Sequence, residues 1–250
     1  MTNPTDNPAL AMQRAQALAQ AGDLAGAAEI CRTVVARTPP NFFASFMLGT
    51  IETHFGRFAE AERNLGTAIK LNPRSPEALT AYGNVLLELK RPKDAASALD
   101  KALALQPQNP TTLLYRGLAL ADSGHREAAL KDFDRILSLD QRSLFALYNK
   151  ALVLIALQRY AEALTTTEAL LRLEPNYVPA LQNLALLHGE AKNHVAALAA
   201  LDKALKIEPN TADLWTTRGM TLSQLKRNDE ALRAFEKAIA LKPGTADVHI

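Results

Sequence analysis

PTTLLYRGLALADSGHREAALKDFDRILSLDQRS, residues 110–143, carries the pattern that decides the fold. Leu113, Leu114, Leu118 and Leu120 recur at helical spacing before Ser123-Gly124 interrupts the chain. Ala129, Phe133, Ile136 and Leu137 then share one face of a second periodic stretch. Two short amphipathic helices joined by a tight turn account for the whole segment.

The same 34-residue period runs outward in both directions. Prolines stand at 39, 73, 107, 175, 209 and 243, and Gln141 fills the vacant phase. Ala27, Ala61, Ala95, Ala129, Ala163, Ala197 and Ala231 form an unbroken column. Ala15, Gly49, Gly83, Gly117, Ala151, Ala185 and Gly219 form a second column of small residues. Seven units run without insertion: 8–41, 42–75, 76–109, 110–143, 144–177, 178–211 and 212–245, after a tail at 1–7. Residues 246–250 read as the start of a truncated eighth unit. The small columns predict close approach of the two helices of a unit, Gly117 against Ala129 and so on along the chain. The residues closing the units are Asn41, Ser75, Asn109, Ser143, Tyr177, Thr211 and Thr245, and all but the tyrosine are good N-cap types for the next helix. Pro76, Pro92 and Pro110 fall at helix starts, where a missing N–H is harmless.

Composition agrees with an all-helical chain. Alanine (45) and leucine (41) supply a third of the 250 residues while aromatics are 6%, which disfavours strands. A formal charge of +2 gives no pull toward nucleic acid or an anionic membrane. The single cysteine, Cys31, excludes an internal disulfide framework and Cys-rich zinc sites. The polar start MTNPTDNPALAMQ is no secretory signal, and no apolar run is long enough for a bilayer span. A cytoplasmic protein is expected.

In the last unit Trp215, Gly219, Leu222, Ala231, Phe235, Ala238 and Pro243 reproduce the signature of tetratricopeptide repeats, with Arg218 in place of the usual leucine. The resemblance covers residues 8–245, with local departures at Ala11, Cys31 and Thr167. It implies an all-α, right-handed α-solenoid (superhelix) of seven helix-turn-helix tetratricopeptide repeats. First helices would line a concave groove and second helices a convex back.

Nothing in the sequence assembles a catalytic or metal centre. His54, His125, His188, His194 and His249 include no pair at metal-ligand spacing on one helix, and no phosphate-binding glycine loop occurs. His188 and Cys31 occupy columns that are apolar elsewhere and read as core positions. No catalytic residue, metal or cofactor is expected.

Charge is unevenly placed. The first fourteen residues of the seven units hold 10 charges in 98 positions, while the other 152 hold 44. A weakly charged concave face suits an extended polypeptide better than a phosphate backbone. Unit positions 2, 5, 6, 9, 12 and 13 should face the groove. They contribute an apolar cluster of Met12, Phe43, Phe46 and Met47 at the N-terminal end. Leu114, Tyr115, Phe145 and Tyr148 fall in the middle, with Gln182, Thr216 and Thr217 further on. Asn149 and Asn183 share one column, with Asn84 nearby in its own unit. This is similar to the asparagine ladder of O-linked N-acetylglucosamine transferases, where side-chain amides read a peptide backbone. The expected peptide-binding set is therefore Asn84, Tyr115, Phe145, Tyr148, Asn149, Gln182, Asn183, Thr216 and Thr217. A carboxylate-clamp co-chaperone is disfavoured, because the clamp columns hold only Asn84 and no cation.

The function expected is a non-enzymatic interaction scaffold that binds an extended peptide or partner protein, with neither nucleic acid nor membrane as partner. The alternative is the substrate-recruiting arm of a larger enzyme of O-linked glycosyltransferase type. Because little chain comes after the last unit, Phe235, Ala238, Ile239 and Leu241 are expected to expose an uncapped face. End-to-end self-association against Met12 and Ala15 is the corresponding expectation.

Overall fold

The structure is a computed structural model that describes residues 7–37 and 39–242. Fourteen helices occur among the described residues, in seven consecutive pairs. They are α1 (Pro8–Gln20) with α2 (Leu24–Val35), α3 (Phe42–His54) with α4 (Phe58–Leu71), α5 (Pro76–Glu88) with α6 (Pro92–Leu105), and α7 (Pro110–Asp122) with α8 (Arg126–Leu139). Next come α9 (Leu144–Ala156) with α10 (Tyr160–Leu173), α11 (Val178–Glu190) with α12 (His194–Ile207), and α13 (Ala212–Gln224) with α14 (Asn228–Leu241). The chain divides into two compact units, residues 1–136 and 137–250. The expected eighth-unit start at 246–250, Pro243 and Thr245 lie outside the described residues.

In the first unit α1 packs on α2, α3 on α4 and α5 on α6, and in the second α9 on α10, α11 on α12 and α13 on α14. Inside each unit a second helix also packs on the next first helix, as α2 does on α3 and α12 on α13. Burial therefore runs as a stripe between neighbours, as a linear array requires. The alanine column is its floor: Ala27, Ala61, Ala95, Ala129 and Ala163 are fully buried.

The small column meets a different partner from the one expected. A Cβ built on Gly117 would stand 2.6 Å from Cε1 of Phe133, and one on Gly219 2.6 Å from Cε1 of Phe235. Gly49 and Gly83 face Leu65 and Leu99 in the same way, at 2.6 and 2.5 Å. Phe133 lies one helical turn beyond Ala129, so both are buried, and the larger side chain fills the space that the glycine leaves. Ala15 and Ala151 replace glycine in the units whose corresponding second-helix residue is the shorter Cys31 or Thr167, while Ala185 does so opposite the full-length Leu201, and all six are buried.

Capping is also more selective than expected. Asn41, Ser75 and Asn109 accept hydrogen bonds from Ala44, Ala78 and Thr112 N–H groups at 3.0, 3.2 and 3.0 Å. Ser143, Tyr177 and Thr211 make no side-chain cap, and the Thr211 hydroxyl instead donates to Glu208 at 3.2 Å.

The turn inside each helix pair supplies a further column, one that hydrophobic periodicity does not mark. Gly22, Gly56 and Gly124 have φ of 87°, 71° and 86°. Lys90, Gln158, Lys192 and Lys226, at the same phase, adopt φ of 57–60° although none is glycine. Left-handed backbone at these points reverses the chain between paired helices, at a cost for a side-chain-bearing residue.

At the far end of the second unit only part of the expected apolar face is open. Ile239 is 53% exposed, but Ala238 is buried and Phe235 and Leu241 are half-buried. Ala15 is wholly enclosed between α1 and α2, so it is not a free N-terminal surface.

Candidate peptide-binding face

Charge is scarcer on the first-helix face than a count suggests, because three of its ten charged residues turn inward. Arg116 of α7 reaches the second helices: Nη2 and Nε donate to Asp132 at 2.6 and 2.8 Å, and Nη1 to Asp100 at 2.7 Å. Asp132 is 1% exposed, and its hydrogen bonds raise the arginine pKa above the ordinary value against the opposing effect of burial. Arg218 donates Nε–H to Asp202 at 2.7 Å, and buried Glu52 accepts from Asn64 Nδ2 at 2.8 Å.

In the first unit, α1 and α3 frame a cavity of about 800 Å³. Met12 and Gln13 stand on one side and Phe43, Phe46 and Met47 on the other. These are the unit positions assigned to the groove from sequence. The sequence pattern anticipates their clustering as apolar residues, although the expected binding set does not include them. Phe43 is 67% exposed, with its ring edge-on to Phe42 at 5.2 Å, while Phe42 stacks on Phe46 at 5.9 Å. Asn7 and Asn41 at the mouth spend their carbonyl oxygens capping α1 and α3. The Thr50 hydroxyl is likewise taken up, by Phe46 O at 2.8 Å. Gln13 and Gln16 remain as exposed amides on α1.

The other expected residues of this unit are less open. Asn84 on α5 is half-buried, and Tyr115 on α7 leans on the cluster around Leu86, Leu99 and Ala119. Thr80, at a supposed groove position, is closed off by a 2.8 Å hydroxyl contact with Thr112 across α5 and α7.

In the second unit the expected residues lie on α9, α11 and α13. Phe145 is 71% exposed. Tyr148 is half-buried, edge-on to Tyr177 at 5.5 Å, and burial, then the Tyr177 neighbour, pushes its phenol pKa up. Asn149 Nδ2 donates to Phe145 O at 2.8 Å, within its own helix. Asn183 is half-buried, and its Nδ2 is enclosed without an acceptor. Gln182, Thr216 and Thr217 are exposed, the two threonine hydroxyls donating to Ala212 and Asp213 carbonyls at 3.0 and 2.8 Å. Asn149 and Asn183 thus do not form a hydrogen-bonded pair, and a peptide would have to replace the intrahelical bond of Asn149.

His188 is half-buried beside Leu184 at the mouth of a separate cavity, and Cys31 is fully buried with its thiol pKa pushed up to about 11 by burial. Among the described residues no helix is long and apolar enough to cross a membrane.

Comparison with known proteins agrees with this architecture. Residues 5–42 and 46–110, and again 187–250, match the tetratricopeptide repeat family, and residues 93–170 match subunit 3 of the anaphase-promoting complex, or cyclosome. No curated protein matches the chain. Among solved structures, a tetratricopeptide repeat protein from Parabacteroides merdae shares 22% identity over 95% of this chain and 94% of its own, with a TM-score of 0.72. PilF of Pseudomonas aeruginosa shares 23% identity over 82% of this chain and 93% of its own, with a TM-score of 0.70. YrrB, described as a tetratricopeptide repeat protein with an unusual peptide-binding site, shares 21% identity over 72% of this chain and 93% of its own, at a TM-score of 0.60. At these identities the likeness speaks to fold alone. With fourteen helices in seven pairs among the described residues and the repeat signature at both ends, the chain belongs to the tetratricopeptide repeat family.

Proposed function

We propose that this chain is a non-catalytic, cytoplasmic interaction scaffold that holds an extended peptide or partner protein along its first helices. The observation that carries the reading is the cavity between α1 and α3, because all of its helical lining comes from first-helix positions. The exposed, mostly uncharged surface of Phe145, Gln182, Thr216 and Thr217 extends the same chemistry to the second unit. Amide side chains there match a peptide backbone without demanding a particular sequence. The peptide-binding site described for YrrB is consistent with such a use of this fold.

The test starts from a random dodecapeptide library displayed on phage and selected against the full chain. Binding of a selected peptide, measured by calorimetry, should weaken by about 1–3 kcal/mol in Asn149→Ala/Asn183→Ala, at about 0.5–1.5 kcal/mol per lost hydrogen bond. It should change little with salt, since few charges face the ligand. Selected peptides that protect only second-helix amides from exchange would overturn the proposal.

A further inference from the structure

Resting on that reading, we infer that the cavity between α1 and α3 is an anchor subsite selective for a bulky, uncharged apolar segment of the bound peptide. Among the described residues eleven line it and none of them is ionisable, in a chain of which 22% of residues are charged. Two cavities of the second unit differ: Glu168, Arg172 and Lys203 border one, and Asp213 and Lys242 the other. A volume of about 800 Å³ is large enough to take several side chains in succession. Its apolar surface comes from Met12, Phe43, Phe46 and Met47. The two methionine side chains conform to varied apolar shapes, so the subsite discriminates by polarity more than by outline.

The absence of charge is the selective element. An acidic or basic side chain entering this space loses its hydration and meets no counter-ion among the described lining residues. The carbonyl oxygens of Asn7 and Asn41 are committed to helix caps and the Thr50 hydroxyl to its own helix. Gln13 and Gln16, three residues apart on α1, are placed to pair with the main chain that flanks the anchor. The occupant is therefore a peptide in which consecutive uncharged apolar residues, at least one of them large, lead into exposed backbone.

The experiment uses peptides enriched by the full chain from the dodecapeptide library. Replacing the apolar anchor of such a peptide by aspartate or lysine should each weaken binding by at least about tenfold. On the protein, Phe43→Ala should cost about tenfold, since the ring is mostly exposed and contributes little to the fold. Gln13→Glu and Gln13→Lys lie on an exposed helical surface, and both should weaken binding, whichever sign they bring. Circular dichroism on each variant confirms that the helices persist. Enriched peptides that carry charged anchors, or that bind Phe43→Ala and both Gln13 variants like the parent, would overturn this inference. If those same peptides still weaken in Asn149→Ala/Asn183→Ala, the first-helix reading stands without the subsite. If no peptide is enriched, or none responds to any first-helix substitution, that reading falls and the subsite with it.

Discussion

Gly117→Ala places one added methyl against the ring of Phe133, in a space too small to hold both. The new Cβ would lie 2.6, 2.8 and 3.2 Å from Cε1, Cζ and Cδ1 of a ring with no exposed surface. Carbon atoms prefer about 3.5–4.0 Å, so α7 and α8 must separate by several tenths of an ångström, or the ring must leave its rotamer. Overpacking of this kind costs about 1–3 kcal/mol, while alanine recovers about 0.5–1 kcal/mol as the better helix former. The net expectation is a loss of about 0.5–2 kcal/mol. Phe133→Ala removes the obstacle and itself costs about 3–5 kcal/mol through the cavity it leaves. In that background Gly117→Ala should stabilise by about 0.5–1 kcal/mol. The sign reversal gives a coupling of about 1–3 kcal/mol, the overpacking cost alone. Repeat arrays open locally, so native-state hydrogen exchange of α7 and α8 amides is the suitable assay. If Gly117→Ala raises protection equally in both backgrounds, the glycine is not a packing requirement and its pairing with Phe133 is wrong.

Three other parts of the structure carry expectations of their own. Lys226→Gly should stabilise by about 0.5–1 kcal/mol in thermal melts, because its φ of 59° costs a side-chain-bearing residue about 1–2 kcal/mol and glycine returns some of that as chain entropy; a destabilised variant would refute strain at the turn. Cys31 should resist alkylation in the native chain at pH 8 (roughly the pKa of a free thiol) and react readily in denaturant, since burial removes access and pushes its pKa up to about 11. Rapid native labelling would place α2 differently. Asp132→Ala should destabilise by about 1–3 kcal/mol more than Asp100→Ala in urea unfolding, because Asp132 is 1% exposed and holds two of the three Arg116 hydrogen bonds, whereas the Asp100 side chain is 61% exposed. Equal losses would show that the inner carboxylate has no special role.

Helix positions were legible from sequence because packing in this fold is local. A residue at a given phase meets the same kinds of neighbour in every unit, so columns such as Ala27 to Ala231 record one environment sampled seven times. The direction of single side chains was less legible. Ala129 and Phe133 share a face one turn apart, and periodicity does not say which of them a glycine touches. Arg116 counts as a first-helix charge in sequence, yet its long stem carries the guanidinium to Asp100 and Asp132. The turn column is hidden because only Gly22, Gly56 and Gly124 of its seven members announce left-handed backbone. At the candidate site the face of Met12, Phe43, Phe46 and Met47 was readable, but their opening into one cavity depends on the spacing of α1 and α3.

The pairing of small and large residues 16 positions apart bears on how such a chain can change over evolutionary time. Gly49 with Leu65, Gly83 with Leu99 and Gly117 with Phe133 each settle their fit inside one hairpin. A hairpin can therefore be copied, lost or exchanged as a cassette without refitting its internal contact. The arginine contacts obey a different grammar. Arg116 reaches back to Asp100 and Arg218 to Asp202, each in the hairpin before its own. Arg116 also keeps two bonds to Asp132 of its own hairpin, whereas the Arg218 bond to Asp202 lies wholly across a junction, so such pairs favour particular neighbours while the glycine pairs leave the order free. Lineages that shuffle repeats should then conserve the first kind of pair within hairpins and the second kind across junctions.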